Sequence, residues 1–102
     1  MEISKNKNGS ILTVSPSGRL DTASAPQLEE VLKASMDDVT ELILDLSGLD
    51  YMSSAGLRIL LSAQKDMNKK GKMTVRNVNA TIMEVFEITG FIDILTIENR
   101  GE

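Results

Sequence analysis

The run Leu42-Ile43-Leu44-Asp45-Leu46 constrains this chain more than any other feature, because helical patterns lie on both sides of it. A run this short and this apolar suits a central strand covered on both faces. Upstream, Leu28, Val31, Leu32 and Ser35 or Met36 recur at helical spacing, with Glu29, Glu30 and Lys33 on the other side. Downstream, a second helix is expected from Ser54 to about Lys70, with Leu57, Leu60, Leu61, Gln64 and Met67 as its inward stripe. Lys69 and Lys70 sit at the negative end of its dipole, and Gly71 stops it.

The flanks extend the pattern. Glu2 to Lys7 reads as an edge strand guarded by lysines, Asn8-Gly9 as a tight turn, and Ile11 to Val14 as its antiparallel partner, ending near Pro16. The first helix starts at Ser24-Ala25-Pro26-Gln27, with Ser24 as cap and Gln27 completing a capping box. Lys72 to Arg76 is a short strand. Asn79 caps a third helix carrying Ile82, Val85, Phe86 and Thr89 on one face and ending at Gly90. Ile92, Ile94, Leu95 and Ile97 close the chain as a strand or extended segment. The expected fold is α/β: a mixed, mostly parallel sheet of about five strands, opening with an antiparallel hairpin, with helices packed against it. The 102 residues have room for one core, so residues 1–102 are expected to form a single domain.

Composition narrows the chemistry. The chain has no histidine and no cysteine, which removes the commonest metal ligand and general base, thiolate chemistry and disulfides. No cofactor or metal is expected, and no glycine loop of the dinucleotide or phosphate-binding kind follows any strand. A net charge of −4 and 3% aromatic residues give neither a phosphate-binding footprint nor stacking platforms, so no direct nucleic-acid contact is expected. No stretch approaches the length of a membrane span, and the apolar run after Lys5 and Lys7 is too short for a signal peptide. A soluble, cytoplasmic protein that is not an enzyme is the expectation. Asp45 and Asp50 flank a strand end without a nucleophile or ligand set and read as solvated loop residues.

Leu46 to Arg58 is different. It joins the central strand to the second helix, where α/β proteins commonly place functional loops. Ser53 or Ser54 can cap the helix, and Ala55 and Gly56 let its first turn approach its neighbours. Gly56 costs roughly 1 kcal/mol of helix propensity relative to alanine, which argues for a positional reason. Arg58 opposes the helix dipole but lies four residues after Ser54, on the same side of the helix.

Four segments in order, Gly18-Arg19-Leu20-Asp21, Leu44-Asp45-Leu46-Ser47, Met52-Ser53-Ser54-Ala55-Gly56-Leu57 and Phe86-Glu87-Ile88-Thr89-Gly90-Phe91, resemble the STAS domain family, and within it the bacterial anti-sigma-factor antagonists. The resemblance implies a STAS fold and a partner-switching role. The unmodified protein binds an anti-sigma factor that is also a histidine-kinase-like serine kinase, and so frees a sigma factor. Phosphorylation at Ser54 switches it off, and a phosphoserine phosphatase resets it. Ser53 stands where many members carry aspartate. The implied docking surface takes in Asp21 and Thr22, the turn Tyr51, Met52, Ser53 and Ser54, and the helix start with Ala55, Gly56 and Arg58. It requires the ends of the second and third strands to lie side by side. The alternatives are a STAS subunit of a transport complex, such as a lipid ABC transporter, and a nucleotide-binding STAS protein.

Overall fold

The structure is a computed structural model and describes residues 1–98. Strands β1 (Glu2–Asn8) and β2 (Ile11–Leu20) form the antiparallel hairpin, in register from Asn8↔Ile11 to Glu2↔Ser17. Gly9 and Ser10, rather than Asn8-Gly9, occupy the turn, and Gly9 takes the positive φ of 65° that the first position of a tight hairpin loop demands. Helix α1 (Ala25–Ser35), β3 (Glu41–Asp45), β4 (Gly48–Met52), α2 (Ser54–Lys70), β5 (Lys72–Arg76), α3 (Ala80–Thr89), a 3-10 turn (Phe91–Asp93) and β6 (Ile97–Glu98) follow. Among the described residues the sheet has six strands in the order β1-β2-β3-β5-β6, with β4 beside β2, and only the hairpin is antiparallel.

Two departures from the sequence reading shape the functional end. Strand β2 does not stop at Pro16 but runs on to Leu20. Its first half pairs with β3 over Ile11 to Val14, and its second half pairs with β4 over Ser17 to Leu20. Pro16, which has no N–H to give, falls in the gap between the two partners. The segment expected as a loop is therefore partly strand, and β3 and β4 act as one interrupted strand along β2.

The core lies on one face of this sheet. Leu12, Val14, Leu42, Leu44, Met73 and Val75 point to it and meet Leu28 and Leu32 of α1, Leu60 and Met67 of α2, and Ile82 and Phe86 of α3. Ile43 lies on the opposite face, outside that cluster, in register with Thr13 and Thr74. Strand β3 is covered on both faces as read, since Ile43 is also buried, but all three helices contribute to the cluster on one face. Helix α2 has the expected bounds. It ends at Gly71 as read, and only glycine fits there, because any Cβ would lie 1.8 Å from the Thr40 carbonyl oxygen. Asn79 caps α3 as read, its side chain accepting from the Ile82 N–H at 2.8 Å. The closing strand shrinks to two residues, since of Ile92, Ile94 and Leu95 only Leu95 is buried.

Candidate functional site

The ends of β2 and β4 bring two helix starts together. Leu20 pairs with Met52, and one residue further on the Ser53 N–H donates to the Leu20 carbonyl at 2.8 Å. From there β2 leads through an Asp21 turn into α1, and β4 leads directly into α2. The Asp21 loop and the Tyr51–Ser54 turn therefore lie side by side, through β4 rather than through the central strand.

The Asp21 turn holds its own geometry. The Asp21 carboxylate accepts from the Ser24 and Ala23 N–H groups at 3.1 Å each. The Ser24 hydroxyl donates to the Arg19 carbonyl at 2.7 Å and accepts from the Asp21 N–H at 2.9 Å. Ser24 is thus not the side-chain cap it was expected to be; Asp21 serves the exposed N–H groups at this helix start. Gln27 forms no capping box and donates instead to the Met1 carbonyl. The backbone hydrogen bond from Ser24 holds the Asp21 carboxyl below its ordinary value, helped by the Ser24 hydroxyl, the Ala23 N–H and the nearby Arg19.

Ser53 and Ser54 part company at the start of α2. Ser53 is the N-cap residue in extended conformation, yet its side chain caps nothing and its hydroxyl oxygen is buried without a hydrogen-bond partner among the described residues. Ser54 is the first helical residue and is exposed. Gly56 is buried because α2 presses onto the strand ends: a Cβ there would sit 2.7 Å from Leu20 Cγ and 2.9 Å from Met52 Cγ. Met52 and Gly56 accordingly form the floor beneath the surface. Thr22, Tyr51, Ser54 and Arg58 are exposed on it, with Asp21, Ser53 and Ala55 half-buried.

Arg19 was missed as a site residue by the sequence reading. Its guanidinium lies 4.3 Å from the centre of the Tyr51 ring, and its Nε is 3.9 Å from the Asp21 carboxylate. The strand register explains the contact. Between Gly18↔Leu49 and Arg19↔Tyr51 the pairing skips Asp50, so Leu20 and Met52 face the core while Arg19 and Tyr51 share the other face. The alternation of Arg19 beside Leu20 was the available signal, but the skipped residue hid its partner.

Asp45 ends β3, where its carboxylate accepts from the Ser47 N–H at 3.0 Å and from Asn77 Nδ2 at 3.1 Å. It therefore pins two strand ends rather than sitting free in solvent. Among the described residues no group of three or more acidic side chains is placed to hold a metal ion, and no helix is long and apolar enough to cross a membrane.

Comparison with known proteins fits this geometry. The STAS domain model matches residues 2–101, and the chain belongs to the STAS domain family. BtrV of Bordetella bronchiseptica, provisionally named an anti-sigma factor antagonist, is 36% identical over 104 residues, spanning 100% of this chain and 90% of that protein. The anti-sigma-B factor antagonist of Bacillus subtilis is 29% identical over 103 residues, spanning 100% of this chain and 93% of its own length. The crystal structure of an anti-sigma factor antagonist from Mycobacterium paratuberculosis superimposes with a TM-score of 0.86 at 25% identity, covering 94% of this chain and 83% of that one.

Proposed function

We propose that this protein is an anti-sigma factor antagonist that acts by docking, without catalysis of its own, and is switched by phosphorylation of Ser54. In the unmodified state the surface around Asp21, Thr22, Tyr51, Ser54 and Arg58 binds an anti-sigma factor, and its sigma factor is released. That partner is also the kinase. The Ser54 hydroxyl oxygen attacks the γ-phosphorus of ATP held by the kinase, ADP departs and the hydroxyl proton passes to a base on the kinase. A phosphoserine phosphatase hydrolyses the ester and restores the docking form.

The observation that carries this reading is the contrast within the serine pair: Ser54 is exposed at the first position of α2, beside the Asp21 turn, while the Ser53 hydroxyl is shut in. The names of the relatives support the partner class. The start of a helix tolerates the added charge, because its free N–H groups favour an anion. A phosphate brings about −1.5 to −2 charge into the docking surface, so the switch needs local repulsion and no refolding. Incubation with the cognate kinase and ATP, followed by mass spectrometry, tests the assignment. Phosphate is expected on Ser54 and is lost in Ser54→Ala; incorporation at Ser53 with Ser54 unmodified refutes it.

A further inference from the structure

We propose that Arg19, held over the Tyr51 ring, takes a carboxylate of the anti-sigma factor, and that this carboxylate is the group that phosphate at Ser54 repels. The inference rests on the docking role proposed above and specifies the charge of the partner surface. Arg19 is positioned without being satisfied. The ring fixes its guanidinium at 4.3 Å, yet its only carboxylate neighbour among the described residues is Asp21, at 3.9 Å and through Nε alone. Its side chain is 64% exposed, and no hydrogen bond fills the remaining N–H donors among the described residues. A planar guanidinium with free donors, pre-oriented on an aromatic face, matches a carboxylate bidentately and loses little rotamer freedom on binding.

Location ties Arg19 to the switch. Arg19 pairs with Tyr51 in the strand register, Leu20 with Met52, and the Leu20 carbonyl then accepts from the N–H of Ser53, next to Ser54. Tyr51 is also 38% exposed, so the stack presents the arginine and tyrosine that dominate energetic centres of interfaces. Asp21 leaves the stack a weak internal ion pair that a partner carboxylate replaces. Repulsion between a phosphate on Ser54 and that incoming carboxylate is screened over a Debye length of about 8 Å at physiological salt, so it weakens as salt is added.

A double-mutant cycle of Arg19→Ala with Ser54→Asp, read by titration calorimetry against the cognate anti-sigma factor, tests this. Arg19→Ala alone is expected to weaken binding on the order of 10-fold or more, and Arg19→Glu further. Ser54→Asp weakens wild type by a larger factor than it weakens Arg19→Ala, because the carboxylate it repels is no longer held. Wild-type affinity for Arg19→Ala, or an equal Ser54→Asp penalty in both backgrounds, overturns the role of Arg19. Absence of binding by wild type, or of any effect of Ser54→Asp in it, instead marks failure of the underlying docking reading. Circular dichroism melting of Arg19→Ala is expected to match wild type, since the side chain is exposed; a lost fold with weakened binding is settled by Arg19→Gln, which keeps the stem and removes the charge.

Discussion

The hydroxyl of Ser53 is buried with no hydrogen-bond partner among the described residues, and Ser54 next to it faces solvent. Neither gives α2 a side-chain cap, so the usual loss of about 1 kcal/mol for removing a serine cap does not apply here. Ser53→Ala relieves an unsatisfied buried group and is expected to leave stability unchanged or raise it by up to about 1 kcal/mol. A urea unfolding midpoint lowered by the equivalent of 1 kcal/mol would contradict that. Asp45 offers a test in pH. Burial would raise its carboxyl, but hydrogen bonds from Asn77 and Ser47 and the charge of Arg76 hold it below its ordinary value. The folded value lies below the unfolded one, so the stabilisation is present above the unfolded value and is lost as pH falls through the folded value. The stability gap between wild type and Asp45→Asn should therefore be widest at neutral pH and narrow below about pH 4. A gap independent of pH, in urea titrations at pH 7 and pH 3, contradicts the assignment.

Among the elements, β4 is the one that periodicity could not reveal. Leu49 and Met52 are its buried residues, three apart rather than two, because Asp50 is skipped in the pairing with β2. A strand with one extra residue loses the alternation that marks strands, so Leu46 to Met52 read as a loop. Helix α2 was legible in its bounds, since the terminal lysines and Gly71 agree, and in most of its stripe; Leu61, read as inward, is only half-buried and lies outside the core cluster. The α1 start was legible in place but not in chemistry: Asp21, three residues before Ser24, took over the hydrogen bonding. Gly56 tests how closely α2 seats on β2 and β4. Alanine there gains about 1 kcal/mol of helix propensity, but its Cβ meets buried Leu20 and Met52 at under 3 Å. Overpacking of that kind costs about 1–3 kcal/mol, so Gly56→Ala is expected to lower the unfolding free energy by up to about 2 kcal/mol net. A stabilised variant would mean that α2 sits further from the strands.

Across the whole molecule the two kinds of cation separate. Among the described residues the arginines stand toward the ends of the parallel strands: Arg19 near the end of β2, Arg76 ending β5, and Arg58 early in α2. The lysines, mid-helix Lys65 apart, gather at the other end. Lys5 and Lys7 donate to Ser35 and to the Asp37 carbonyl just past α1, Lys33 lies late in α1, Lys69 and Lys70 end α2, and Lys72 begins β5. The helix C-termini there favour cations, so the lysines have a structural role. The arginine end carries the donors suited to carboxylate or phosphate. Replacing Lys69 and Lys70 together by glutamine is thus expected to leave affinity for the anti-sigma factor within about twofold, while Arg58→Ala weakens it on the order of several-fold. Equal losses from both variants would show that net charge, rather than the arginine end, governs binding. The resemblance pointed to this end of the fold, but the separation of charge needed the strand order, which no local pattern encodes.

Titration calorimetry of the unmodified chain and of the same chain stoichiometrically phosphorylated at Ser54, against the cognate anti-sigma factor, tests the central claim most directly. The unmodified form is expected to bind, and the phosphorylated form to bind on the order of 100-fold more weakly or not at all, with an unchanged circular dichroism spectrum. Equal affinity of the two forms would contradict the account.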